Sequence, residues 1–256
     1  MFYGLAVILI LVPAKFLLLR NKAQDVGQDL DGLSLGKTGN LAASVGPTEA
    51  APGVSKVFRI VRGERHFWML AAITFVIGLC NNTILSQLQL YFVDVKYGMA
   101  VAAIILGMAG FFRIGGSVVT GWLSDHLGRQ HAMALSAATT ALGVLLLLLI
   151  PVLGAAPVPG YIFAVIFGFG TGGMSTCFSA MTADVFKGSS LATVMGILEM
   201  FYGAGGVIGP PLAGYTFDFM GSYIMPFSVI GLAVLAVVFL SIFSFHPERV
   251  PEIQSE

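Results

Sequence analysis

Six apolar runs constrain this chain more than anything else in it: residues 67–92, 99–122, 132–151, 160–183, 191–217 and 223–245. Each is long enough to cross a hydrocarbon core, which takes about 20 helical residues. The segments between them, 93–98, 123–131, 152–159, 184–190 and 218–222, are short, which predicts antiparallel neighbours in a bundle. With 57% hydrophobic and 10% charged residues and a mean hydropathy of +0.90, a water-soluble domain could not cover its surface. The expected fold class is therefore an all-α membrane protein, a polytopic transmembrane helix bundle of about seven helices with the lipid bilayer as its solvent.

The seventh crossing is residues 1–19, apolar apart from Lys15, bent at Pro13 and followed by Arg20 and Lys22. A secretory signal carries its positive charges before the apolar run, so the order here reads as a membrane helix. A chain that opens directly on such a helix suggests a start in the middle of a larger design. Gly, Ala, Ser, Asp and Pro dominate residues 21–55 without periodicity, as in a linker. From Lys56 to His66, Arg59, Arg62 and Arg65 interleave with Val57, Phe58, Ile60 and Val61. Two readings stay open there: a short amphipathic helix on the inner leaflet, or a solvated basic lead-in to the next crossing. The expected organisation is thus 1–19 membrane helix, 20–66 cytoplasmic loop, 67–245 six-helix bundle and 246–256 cytoplasmic tail.

Net charge is zero, and its segregation sets the orientation. One set of alternate loops holds Arg20, Lys22, Lys37, Lys56, Arg59, Arg62, Arg65, Arg129, Lys187 and Arg249, while the other holds Lys96 alone. The first set is expected in the cytoplasm of a cell (inner) membrane protein, with the N-terminus outside and the C-terminus inside. Cys80 and Cys177 lie in apolar runs and read as buried small hydrophobes; no metal spacing, redox pair or cofactor motif occurs, and no nucleic-acid partner is expected.

Between the second and third of the six runs stands Gly121-Trp122-Leu123-Ser124-Asp125-His126-Leu127-Gly128-Arg129, a G-x-L-S-D-x-x-G-R pattern. Gly121 lets a helix end pack closely, Asp125 can cap a helix N-terminus, Gly128 can take a left-handed turn, and Arg129 offers a planar fork to a carboxylate. The pattern resembles the loop signature of the major facilitator superfamily of secondary transporters. His126 and Gln130 stand where that family commonly has basic residues. The resemblance implies half of a twelve-helix fold: helix six, the central loop and helices seven to twelve. By its pseudo-symmetry, Asp125 would dock on a helix end in the other half. A second stretch, Gly203-Ala204-Gly205-Gly206-Val207-Ile208-Gly209-Pro210-Pro211-Leu212-Ala213-Gly214, lets helix backbones approach closely, with prolines that permit a bend. With Asp218, Gly221, Ser222 and Tyr223, it is similar to the last hairpin of monocarboxylate and oxalate/formate carriers.

Two charges lie within the runs. Arg113 is nine residues before Trp122 and Glu199 eight after Leu191, on helices of opposite direction, so both sit about 12–13 Å deep. Each charge costs roughly 2.5–3.5 kcal/mol at a bilayer centre on insertion scales, so neither should face lipid. Arg113 could receive an anionic solute while Glu199 carries a coupling proton; alternatively the two pair and hold helices together. Tyr202 shares the Glu199 face, and Gly78, Asn82, Ser86 and Gln89 form a polar stripe that could line a path. Arg113, Asn82, Gln89 and Tyr202 are thus candidate substrate-binding residues. Thr171, Ser175 and Thr182 read as packing hydroxyls bonded back to their own helix. Asp184 could pair with Arg129, so that Gly121, Asp125, Gly128, Arg129 and Asp184 form a candidate gate.

The leading expectation is a secondary transporter, or half of one, moving a small solute such as an organic anion by alternating access with proton coupling. Its partners would be the solute and either a separate N-terminal half or a second copy. The competing reading is a non-transporting membrane interaction protein that keeps the fold. No G-x-S-x-G, no H-E-x-x-H and no intramembrane carboxylate pair occurs, which excludes the familiar intramembrane enzyme chemistries.

Overall fold

The computed structural model describes residues 54–154, 156–186 and 190–243, all within one unit, Ala51–Glu256. The expected helix at 1–19, residues 20–53 of the linker and the tail lie outside the described residues, with Lys187 and Arg249. Seven helices are described: α1 Val54–Val61, α2 Arg65–Asp94, α3 Met99–Leu127, α4 Arg129–Leu153, α5 Val158–Val185, α6 Leu191–Met220 and α7 Ile224–Phe243. All but α1 are long and apolar enough to cross a membrane. Where no water reaches the backbone, a helix satisfies its own N–H and C=O groups, and an apolar run of this length has no better option.

Hydropathy marks the hydrocarbon thickness, whereas these helices run on past it. The bridge expected at 123–131 shows the difference: α3 continues to Leu127 and α4 starts at Arg129, so Gly128 alone is the break. Gly128 adopts φ +87°, which a side chain would resist, and turns the chain in a single residue. At the far end of α6, Gly221 (φ +63°) closes the helix left-handed and donates its N–H to the Phe217 carbonyl. Side-chain caps play no part at the N-termini of α2 to α6.

Packing follows glycine more than chain order. The closest associations are α2 with α6, α3 with α5, and α4 with both α5 and α7. A methyl group at Gly78 would overlap the Tyr202 carbonyl, one at Gly205 the Phe75 carbonyl, and one at Gly209 the Thr83 hydroxyl, so α2 and α6 touch backbone to backbone. On the other pair, Gly116 abuts the Phe169 carbonyl, Gly168 that of Ala109 and Gly172 that of Arg113. In lipid, where apolar side chains gain nothing by leaving their solvent, such close van der Waals approach is what holds helices together. Pro210 and Pro211 interrupt the α6 ladder, and Gln87 Nε2 reaches the Pro210 carbonyl at 3.3 Å.

Residues 54–61 form a helix, α1, whose Val57 and Val61 are buried, whose Arg59 side is exposed, and which packs on α6. Phe67 joins the two, in edge contact with Phe58 of α1 and Phe201 of α6. By contrast, α3 and α6 bury little of themselves, and Phe111, Ile114, Val118, Met200, Val207 and Leu212 stand out from the bundle.

Replacing Gly172 by Ala should lower stability by about 1–3 kcal/mol, because the added carbon meets backbone that cannot give way. Gly107 has open space around it, and Gly107→Ala should stay within about 0.5 kcal/mol. Denaturant unfolding in detergent, followed by helical circular dichroism, separates the two.

Candidate functional site

Between the α2–α6 pair and the α3–α5 pair lies a cleft of about 250 Å³. Thr74 and Ile77 from α2 and Glu199 and Tyr202 from α6 form one wall; Arg113 from α3 and Ser175, Phe178 and Ser179 from α5 form the other. The glycine contacts set this register directly. Gly172 of α5 presses on the carbonyl of Arg113 itself, and Gly78 of α2 on the carbonyl of Tyr202. Each candidate binding side chain is thus carried by a backbone segment that has nowhere to slide.

Arg113 is half-buried and donates from Nη2 to Ser175 Oγ at 3.2 Å, while Ser175 donates onward to the Thr171 carbonyl at 3.1 Å. No ion pair joins Arg113 to Glu199 among the described residues. The guanidinium and the carboxylate therefore face one small polar space from opposite walls, each with capacity left for a further partner. Such an arrangement can take an anion on Arg113 and a proton on Glu199.

The structure brings together Arg113, Glu199 and Tyr202, and places Asn82 and Gln89 elsewhere. Asn82 Nδ2 donates to the Gly78 carbonyl at 2.9 Å and lies against Gly206 in the α2–α6 crossing, and Gln89 is exposed. The hydroxyls of Thr171, Ser175 and Thr182 bond back to Phe167, Thr171 and Phe178. Thr74, Ile77, Phe178 and Ser179 were not singled out from sequence. Their signal was depth: they occupy the same level of their helices as Arg113 and Glu199.

At the end of the bundle where α3 ends and α4 begins, Arg129 gathers a second cluster. Its Nη1 reaches Asp125 Oδ1 at 2.7 Å and Ser124 Oγ at 3.0 Å, and its Nε reaches Asp184 Oδ2 at 3.1 Å. Among the described residues Asp125 caps no helix, and the helix end in the other half on which it was expected to dock lies outside this chain. The N-cap of α4 is Gly128 with no side-chain bond, and the i, i+4 spacing across the one-residue break turns the carboxylate to Arg129 instead. Gly121 meets only Thr176 Cγ2, at an ordinary 3.6 Å.

The sequence profile of the Major Facilitator Superfamily matches residues 1–177 and 155–256, together the whole chain. Monocarboxylate transporter 13 of Rattus norvegicus is 31% identical over 143 residues, 56% of this chain and 33% of that protein. Monocarboxylate transporter 12-B of Danio rerio is 27% identical over 203 residues, 75% of this chain and 42% of that protein. For Monocarboxylate transporter 11 of Homo sapiens the figures are 27% over 146 residues, 55% and 31%. The chain spans about a third of the length of the curated relatives it matches.

With 64% of the Asp125 side chain and 50% of the Asp184 side chain exposed, the Arg129 pairs are water-screened. Arg129→Ala should cost under about 1 kcal/mol of stability. Gly128→Ala, forced to positive φ, should cost about 1–3 kcal/mol. Thermal unfolding of the two variants in detergent ranks them.

Proposed function

Because this chain belongs to the major facilitator superfamily, we propose that it forms the C-terminal part of a secondary transporter that carries a small organic anion by alternating access, coupled to a proton. The observation that carries this reading is the placement of Arg113 and Glu199 on opposite walls of one cleft without an ion pair between them. The names of the relatives favour a monocarboxylate as the anion.

The coupling follows from charge balance. The ionisable groups lining the cleft are Arg113, Glu199 and Tyr202; α2 contributes Thr74 and Ile77, and α5 contributes Ser175, Phe178 and Ser179. An anion entering beside an ionised Glu199 leaves one net negative charge in a low-dielectric space, which is costly. Protonating Glu199 restores neutrality, so anion and proton favour each other's binding. Rocking of one helix pair against the other would then expose the cleft to alternate sides.

The outstanding apolar faces of α3 and α6 flank this cleft, and in this reading they meet an N-terminal half or a second copy. The same faces are the observation that favours the alternative, a membrane interaction protein that keeps the fold without transport. Arg59, Arg62, Arg65 and Arg129 gather at the end of the bundle opposite Lys96, which supports a cytoplasmic placement of that end in the cell (inner) membrane. In the same orientation the Arg129–Asp184 pair would serve as a latch at the inner side.

In proteoliposomes holding the complete carrier, carboxylate uptake should rise as the outside pH falls. Arg113→Ala should reduce uptake at least tenfold, and Glu199→Gln should keep solute exchange while losing the response to a pH gradient. Uptake untouched by Arg113→Ala would overturn the anion assignment. Absence of flux for every carboxylate and neutral solute tried would favour the interaction protein.

A further inference from the structure

Asn81 is 2% exposed in the middle of α2, and among the described residues neither its Nδ2 nor its Oδ1 has a hydrogen-bond partner. Its neighbour Asn82 settles on the Gly78 carbonyl, and Thr74, Ser136, Thr140, Thr171 and Thr182 likewise satisfy themselves on their own helices. An amide left open at both ends in so apolar a setting is strongly unfavourable. A buried group left open in this way calls for an explanation, and a functional position is one that natural proteins retain at such a cost.

The position of Asn81 says what that is. It lies seven residues from Thr74 and four from Ile77, on the helix face those two present to the cleft, and about 6 Å further along α2 than Ile77. Farther along the same face come Leu88 and Phe92, both fully buried. Phe92 stacks on Tyr97 with centroids 5.3 Å apart, and the Tyr97 hydroxyl donates to the Ala156 carbonyl. Asn81 is thus a polar step between the open cleft and an aromatic closure at the far end of the bundle.

We propose that Asn81 is a solute-binding amide at the blind end of the cleft, taking a neutral polar group of an anion whose carboxylate is held by Arg113. This rests on the reading of the cleft as the solute site. An asparagine offers a donor and an acceptor side by side, which match a hydroxyl or an amide. A carboxylate would meet its carbonyl oxygen with repulsion, so the two ends of the solute are told apart. Asn81 lies beyond Ile77 along α2, so the fitting solute carries its polar group at the end remote from the carboxylate. Asn81 becomes reachable when the α2–α6 pair parts from the α3–α5 pair.

The test uses the complete carrier in lipid nanodiscs, with pentanoate and 5-hydroxypentanoate titrated by calorimetry. The hydroxylated acid should bind about tenfold more tightly. Asn81→Leu should erase that difference and raise the unfolding temperature of the empty protein, because an open amide has been replaced by an apolar group. Asn81→Ala, which adds no bulk, should also erase the difference and serves should the leucine fail to pack. A structural asparagine would not trade stability for discrimination in this way. Equal affinity for the two acids, or a preference that survives both substitutions, overturns the role of Asn81 while leaving Arg113 as the anion site. Failure of the complete wild-type carrier to bind either acid takes down the anion reading and this inference together.

Discussion

Everything functional in this bundle depends on helix backbones touching at glycine. Lipid solvates leucine as well as another leucine does, so burial alone gives membrane helices no reason to choose particular neighbours. Contact between a glycine and a carbonyl does give one, because it works in a single register. Gly78, Gly205 and Gly209 fix α2 against α6; Gly116, Gly168 and Gly172 fix α3 against α5. Two tight pairs result, and the polar cleft is the seam between them. Its cation rides on one pair and its carboxylate on the other, so any movement between the pairs changes the distance separating the two charges.

In the proposed cycle this division would let tight packing and a changing site coexist. Within a pair, backbone contacts of this kind permit almost no sliding, and Arg113 and Tyr202 are each pinned by a glycine one helix away. Between the pairs, contact is lighter and passes through side chains of the cleft. Stiffness is therefore spent on positioning the groups, and freedom is kept for the seam. The hydrogen bonds agree: Ser175 orients Arg113 within its own pair, and no ion pair crosses to Glu199.

Six of the expected crossings were legible in the sequence because the solvent imposes them: an apolar run of this length admits little else. Arg113 and Glu199 do line one cleft, although the depth count from Trp122 stopped five residues short of the end of α3 at Leu127. What sequence could not show is where helices stop and whom they touch. Leu123 to Leu127 look like a loop because they carry Ser124, Asp125 and His126, yet the helix runs through them until Gly128 forces the turn. Pairing depends on which face each glycine presents, and periodicity alone did not separate Gly205, pressed on α2, from Gly203, which meets open space. The adjacent asparagines show the same limit. Asn82 belongs to a visible polar stripe, while the open amide is Asn81, whose face reads as apolar until the neighbouring helices are in place.

The chain has two tryptophans, Trp68 near the start of α2 and Trp122 near the end of α3, and both are exposed. Because α2 and α3 run in opposite directions through one short turn, the two indoles sit at the same end of the bundle, Trp122 beside the His126 ring with centroids 4.4 Å apart. Tryptophan emission from this protein therefore reports on one surface of the bilayer only, and the cleft, with Tyr202 in its wall, holds no indole.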